Sequence, residues 1–80
     1  MNIYLISQEI NFEYDTYDSA VVCAPDEATA KMIHPSGNVL GTNKYDEFTW
    51  CSPEHVKVVL IGTAVPNSLQ GVICASFNAG

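Results

Sequence analysis

Residues 19–37 read Ser19-Ala20-Val21-Val22-Cys23-Ala24-Pro25-Asp26-Glu27-Ala28-Thr29-Ala30-Lys31-Met32-Ile33-His34-Pro35-Ser36-Gly37. The first six are small, β-branched or uncharged, which suits a strand buried on both faces. Pro25 has no N–H to donate and cannot continue a central ladder. Asp26 can accept a hydrogen bond from a free first-turn N–H, and Glu27 adds negative charge at the positive end of a helix dipole. Ala28, Thr29, Met32 and Ile33 then share one helical face, with Lys31 turned away. His34 precedes a proline and Gly37 follows, so the helix stops there. At about nine residues it is too short to persist in water and must dock on a sheet, with Met32 and Ile33 as its main core contacts.

Working outward, Ile3-Tyr4-Leu5-Ile6-Ser7-Gln8 reads as a first strand, Ile3 and Leu5 facing one way and Tyr4 and Ile6 the other. Ser19–Ala24 returns antiparallel to it. Val56–Ile61 is the clearest strand of the second half, and Gly71–Phe77 is the fourth. Residues 63–70 connect those two as a turn or loop. The order β-β-α-β-β predicts an α+β domain, residues 1–80, with a four-stranded, mainly antiparallel sheet and one helix on a face, set between two hairpins. Residues 35–55 hold no sustained period, yet they contain Tyr45, Phe48 and Trp50. A structureless loop of that length is uncommon in a small domain, so its rings must pin it to the body or to a partner.

One helix covers only one face of a sheet, and these strands are apolar on both. Either the 35–55 segment wraps over the second face, or a second subunit or a target protein does. A homodimer through the apolar sheet face is therefore one reading of the chain, as a small structural or assembly protein.

The charge is uneven. The chain carries nine acidic residues, three lysines and no arginine, for a formal charge of −6. That balance argues against direct nucleic-acid binding, which needs cations to displace counterions, and against an anionic membrane surface. Six acids, Glu9, Glu13, Asp15, Asp18, Asp26 and Glu27, precede the first lysine, Lys31. Within residues 9–18 the acids alternate with Phe12, Tyr14 and Tyr17. Amphipathic rings flanked by carboxylates make a protein-binding surface, because aromatic anchors dominate interface energies. The carboxylates could imitate nucleic-acid phosphates for a basic groove. The bland alternatives are a solvated acidic face and rings that cap the core. The expected binding residues are Glu9, Phe12, Glu13, Tyr14, Asp15, Tyr17 and Asp18, with Trp50 from the long loop.

Other chemistry is weakly marked. Three cysteines, Cys23, Cys51 and Cys74, and no basic, apolar leader suggest reduced thiols in a cytoplasm. Cys51 and His55, with His34 and Cys23, lack the paired spacing of a zinc site. A Cys51–His55 or Cys51–His34 nucleophile needs an exposed thiol activated by a base, and no local signature supports one. Cys74, in an apolar strand, is expected to be inert. The acids of 9–18 lack the order of a calcium loop. No glycine-rich phosphate loop is present. The expectation is a non-enzyme with no metal and no cofactor.

Two blocks carry a resemblance. They are Ile3-Tyr4-Leu5-Ile6-Ser7-Gln8 with Tyr14-Asp15-Thr16-Tyr17-Asp18-Ser19-Ala20-Val21-Val22, and the closing Gly71-Val72-Ile73-Cys74-Ala75-Ser76-Phe77-Asn78-Ala79-Gly80. With Ile33-His34-Pro35-Ser36-Gly37 between them, they resemble a family of short bacteriophage and prophage proteins over roughly half the chain. The resemblance implies no enzymatic activity and no site residues. Small acidic phage proteins of this size look like inhibitors of host defence, anti-CRISPR proteins among them. The resulting expectation is a protein-binding inhibitor in the cytoplasm of a bacterial host, occupying a protein with a basic nucleic-acid-binding surface.

Overall fold

The computed structural model describes residues 1–37 and 46–78. Four strands, β1 (Asn2–Ser7), β2 (Thr16–Ala24), β3 (Lys57–Thr63) and β4 (Gly71–Asn78), form one antiparallel sheet in the order β3-β1-β2-β4. The expected class, α+β with one helix docked on a four-stranded sheet, is what the molecule has. The second pair of strands is not a hairpin, however. β3 pairs with β1 and β4 with β2, so residues 64–70 cross the end of the sheet from one edge to the other. Each late strand gains more by joining the apolar central pair than by pairing with the other.

The helix α1 spans only Glu27–Lys31, shorter than expected. Asp26 caps it as foreseen, its Oδ1 accepting the Thr29 N–H at 2.7 Å. The Thr29 hydroxyl first, and then this N–H, hold the Asp26 carboxyl below its ordinary pKa of 3.8. Met32 already stands at the C-cap and is 38% exposed, so it is not the core contact expected. Ala30 and Ile33 take that role, both buried against the sheet. Ending one turn early rotates the apolar face by a residue, and Ile33 enters the core from the turn after the helix.

The core lies on one face of the sheet. Alternation along the strands sends Tyr4 and Ile6 of β1 and Ala20, Val22 and Ala24 of β2 into it. The long 35–55 segment is not without structure: it holds a short helix, α2 (Asp46–Thr49), and a 3-10 turn at Pro53–His55. It does not wrap the second face as one reading supposed, as far as it is described. Trp50 and Cys51 join the same core as α1, and Val56 closes it. Tyr45 lies outside the described residues.

The opposite face stays open among the described residues. The ladder registers arrange it in rows across all four strands. Lys57, Ser7, Ser19 and Ser76 make a polar row at one end. Val59, Leu5, Val21 and Cys74 make the apolar row next to it. Beyond them come Gly62, Ile3, Cys23 and Gly71, where the Met1 side chain covers Cys23 with its sulfur 3.7 Å from the thiol. Val59 is 40% exposed, and Cys74, expected to be inert in its strand, is exposed as well. Asp18 occupies a bulge of β2 between Tyr17 and Ser19, and its Oδ2 accepts from the Ser76 hydroxyl at 3.3 Å. It therefore sits at the β4 corner of the polar row, diagonally removed from Lys57.

A candidate protein-binding loop

The β1–β2 connection, residues 8–15, is built from the inside by one side chain. Gln8 falls on the Tyr4–Ile6 side of its strand, and its amide is buried. A buried amide has to be bonded. Its Oε1 accepts the N–H groups of Ile10 and Asn11 at 2.9 and 2.7 Å. Its Nε2 donates to the carbonyls of Asn11 and Tyr17 at 2.6 and 3.1 Å. All four hydrogen-bonding directions of one amide thus hold the loop's first turn and tie it to β2.

A second tier extends the frame. The Asn11 amide donates to the Trp50 carbonyl at 3.0 Å, and its Oδ1 accepts the Glu13 N–H at 3.3 Å. The Thr16 hydroxyl, fully buried, donates to the Glu13 carbonyl at 2.6 Å, and Asn78 Nδ2 reaches the same oxygen at 3.3 Å. Asp15 adopts φ 62°, a left-handed conformation that aspartate tolerates better than most residues, and its N–H meets the Asn78 carbonyl at 2.6 Å. The loop is thereby fixed at both ends and leaned toward the layer that contains Trp50.

What this frame holds out to solvent is aromatic and acidic. Phe12 is 70% exposed and Tyr14 75% exposed, with Ile10 also outward. Glu9, Glu13 and Asp15 are exposed beside them. Neither Glu9 nor Glu13 has an ion-pair partner among the described residues; the one such pair runs between His55 Nε2 and Glu54 Oε1 at 3.6 Å. The rings of Phe12 and Tyr14 do not cap the core.

Three expected binding residues turn out to be placed elsewhere. Trp50 is 0% exposed, so its ring is a core element and offers nothing to a partner; an indole this large adds more by filling the space under α1 than by standing in water. Tyr17 is half-buried, packed edge-on against His34 at 5.6 Å and Phe77 at 4.8 Å between ring centres. His34 is itself a buried structural group. Its Nδ1 accepts the Ser36 N–H at 3.0 Å, so Nε2 carries the proton and faces Thr49 Oγ1 at 2.9 Å. Asp18, as described, belongs to the open sheet face.

An open cleft of about 360 Å³ lies between the loop and residues 50–55, lined by Ile10, Asn11, Cys51, Ser52, Glu54 and His55 among others. It does bring Cys51 and His55 to one place. The Cys51 residue is nevertheless buried, whereas a nucleophilic thiol must be accessible. No group of three metal-ligating side chains occurs among the described residues. No helix among them is long and apolar enough to cross a membrane.

Gln8, Asn11 and Thr16 were not singled out from sequence. The parity of Gln8 with Tyr4 and Ile6 was the available signal, since period two sends all three to the same face. No family model matches this chain, and neither a curated protein nor a solved structure matches it significantly.

Proposed function

We propose that this chain is a non-enzymatic binding protein that occupies the basic, nucleic-acid-handling surface of another protein. In that role it acts as an inhibitor of host defence, like the small acidic phage proteins, anti-CRISPR proteins among them, that its sequence blocks resemble. The observation that carries this reading is the pair Phe12 and Tyr14, held out at 70% and 75% exposure among carboxylates on a loop braced from within. Exposed rings of this size cost solvation unless a partner covers them, and aromatic side chains bring contact area at little entropic cost. The bracing by Gln8 and Asn11 removes most of the ordering cost that a free loop would meet on binding. Surrounding acids would steer the approach of a basic partner and speed association at low salt.

The test is capture from a bacterial lysate on immobilised protein, compared with a Phe12→Ser/Tyr14→Ser variant. A specific protein should be retained by the first and lost by the second, and it should be released by added DNA or RNA and by rising salt. Retention that is indifferent to the rings, to salt and to nucleic acid would refute the reading.

A further inference from the structure

We propose that two copies of this chain pack through their open sheet faces, related by a two-fold axis running along the strands. The rows of that face are complementary to themselves under this one operation. It turns the β3 side of one copy onto the β4 side of the other, while each row still meets its own row. Lys57 then lies over Asp18 of the second copy, twice in the pair. The serine row meets a serine row, and the apolar row meets an apolar row.

Shape follows the same pattern. The β3–β1 half of the apolar row is bulky, with Val59 and Leu5. The β2–β4 half is small, and an open groove of about 160 Å³ runs there between Leu5, Ser19, Val21, Cys74 and Ser76. The two-fold operation sets Val59 and Leu5 of each copy into the groove of the other. A two-fold axis across the strands instead would press Lys57 against the Ile3 row, desolvating an ammonium with no counter-charge. Two sheets related along their strands also pack in the aligned manner that sheet twist favours, about 10 Å apart.

Charge selects a second copy as the occupant. The chain carries −6 overall, so two copies repel over most of their surfaces. Here each contributes one cation and one anion to the contact. Three rows on four strands span about 19 by 20 Å, which with side-chain relief buries about 1,000–1,200 Å² in the pair, enough for a specific but weak dimer. The acidic loops, leaned toward the Trp50 layer, point away from this contact and emerge at one end of the dimer. The proposal does not rest on the function assigned to that loop.

Sedimentation velocity over a concentration series should show a shift from 8.7 kDa to twice that mass. Val59→Asp, at an exposed edge position, should abolish the shift with an unchanged circular dichroism spectrum. Lys57→Asp and Asp18→Lys should each weaken self-association at least ~10-fold, and the two together should restore it. Val59→Cys supplies a second readout. Positions 59 and 74 stand on opposite edges of the sheet, about 14 Å apart in one copy, and about 10 Å apart across the two packed faces, too far for a direct disulfide in either case. An ethylene-bridged bis-maleimide should therefore join the new cysteine to Cys74 of the other copy rather than to Cys74 of its own, giving a covalent dimer on a denaturing gel. The buried Cys23 and Cys51 stay out of the reaction. A chain that remains monomeric, as it would if a different protein covers this face, overturns the proposal. So does a dimer that survives Val59→Asp, or one that cross-links through Cys74 alone. Phe12→Ser/Tyr14→Ser should leave dimerisation untouched, so failure of the loop reading and failure of this one are separable.

Discussion

Replacing Gln8 by Glu changes one group in a side chain of the same shape, and the structure says what that group does. The new carboxylate keeps an oxygen for the N–H groups of Ile10 and Asn11. It places a second oxygen where Nε2 had donated to the carbonyls of Asn11 and Tyr17. Two hydrogen bonds of about 1 kcal/mol each are lost, and two carbonyls are left facing a buried negative charge, for about 2–4 kcal/mol in all. In a domain of this size that is a fall of about 10–25 °C in Tm. Thermal melts at pH 7 measure it, with Gln8→Ala as the variant that brings no charge. Acid gives the internal control. Burial against carbonyls raises the folded pKa of the introduced carboxyl, so the protonated form is the one the fold favours. The deficit relative to the parent is therefore largest at neutral pH and shrinks as pH falls toward about 4, where the acid can donate again. A variant that melts within ~2 °C of the parent at pH 7 would mean that the Gln8 amide does not brace the loop.

Further outcomes follow from burial and charge. Ile33→Ala should cost about 2–4 kcal/mol in denaturant unfolding, while Met32→Ala, at a partly exposed cap, should cost less than about 1 kcal/mol. Equal losses would refute the rotated helix face. The Asp26 carboxyl has a lowered pKa in the fold, so its capping contribution is present above pH 3.8 and fades as pH falls through the lower folded value. Asp26→Asn, which caps without titrating, should lose less stability than the parent between pH 5 and pH 2, and parallel curves would contradict this. Phe12→Ser/Tyr14→Ser should change stability by no more than about 0.5 kcal/mol in either direction, because neither ring is packed in the core. A large loss would show that the rings support the fold instead of facing a partner.

Much of this molecule was legible before any coordinates. Strand periodicity in residues 3–8, the break at Pro25 and the cap at Asp26 are local signals, set by chemistry within a few residues. They correctly implied an α+β domain, an antiparallel first pair and a helix docked on its sheet. The alternation of acids and rings in residues 9–18 is equally local, but only its part through Asp15 protrudes, because Thr16, Tyr17 and Asp18 already belong to β2.

What the sequence could not decide depends on contacts between distant residues. Whether β3 pairs with β4 or with β1 turns on which edge of the apolar central pair each can reach, and both choices satisfy the same local pattern. Trp50 and Phe48 read alike as rings in a long loop, but one fills the core and the other is exposed, because only the packed layers reveal which space remains to be filled. The role of Gln8 emerges only when its four partners close around it. The same holds for the open face. Its apolar character is written in the strands, whereas the diagonal placement of Lys57 and Asp18 exists only once the strand order and a bulge in β2 bring residues about 40 positions apart in the chain into one row.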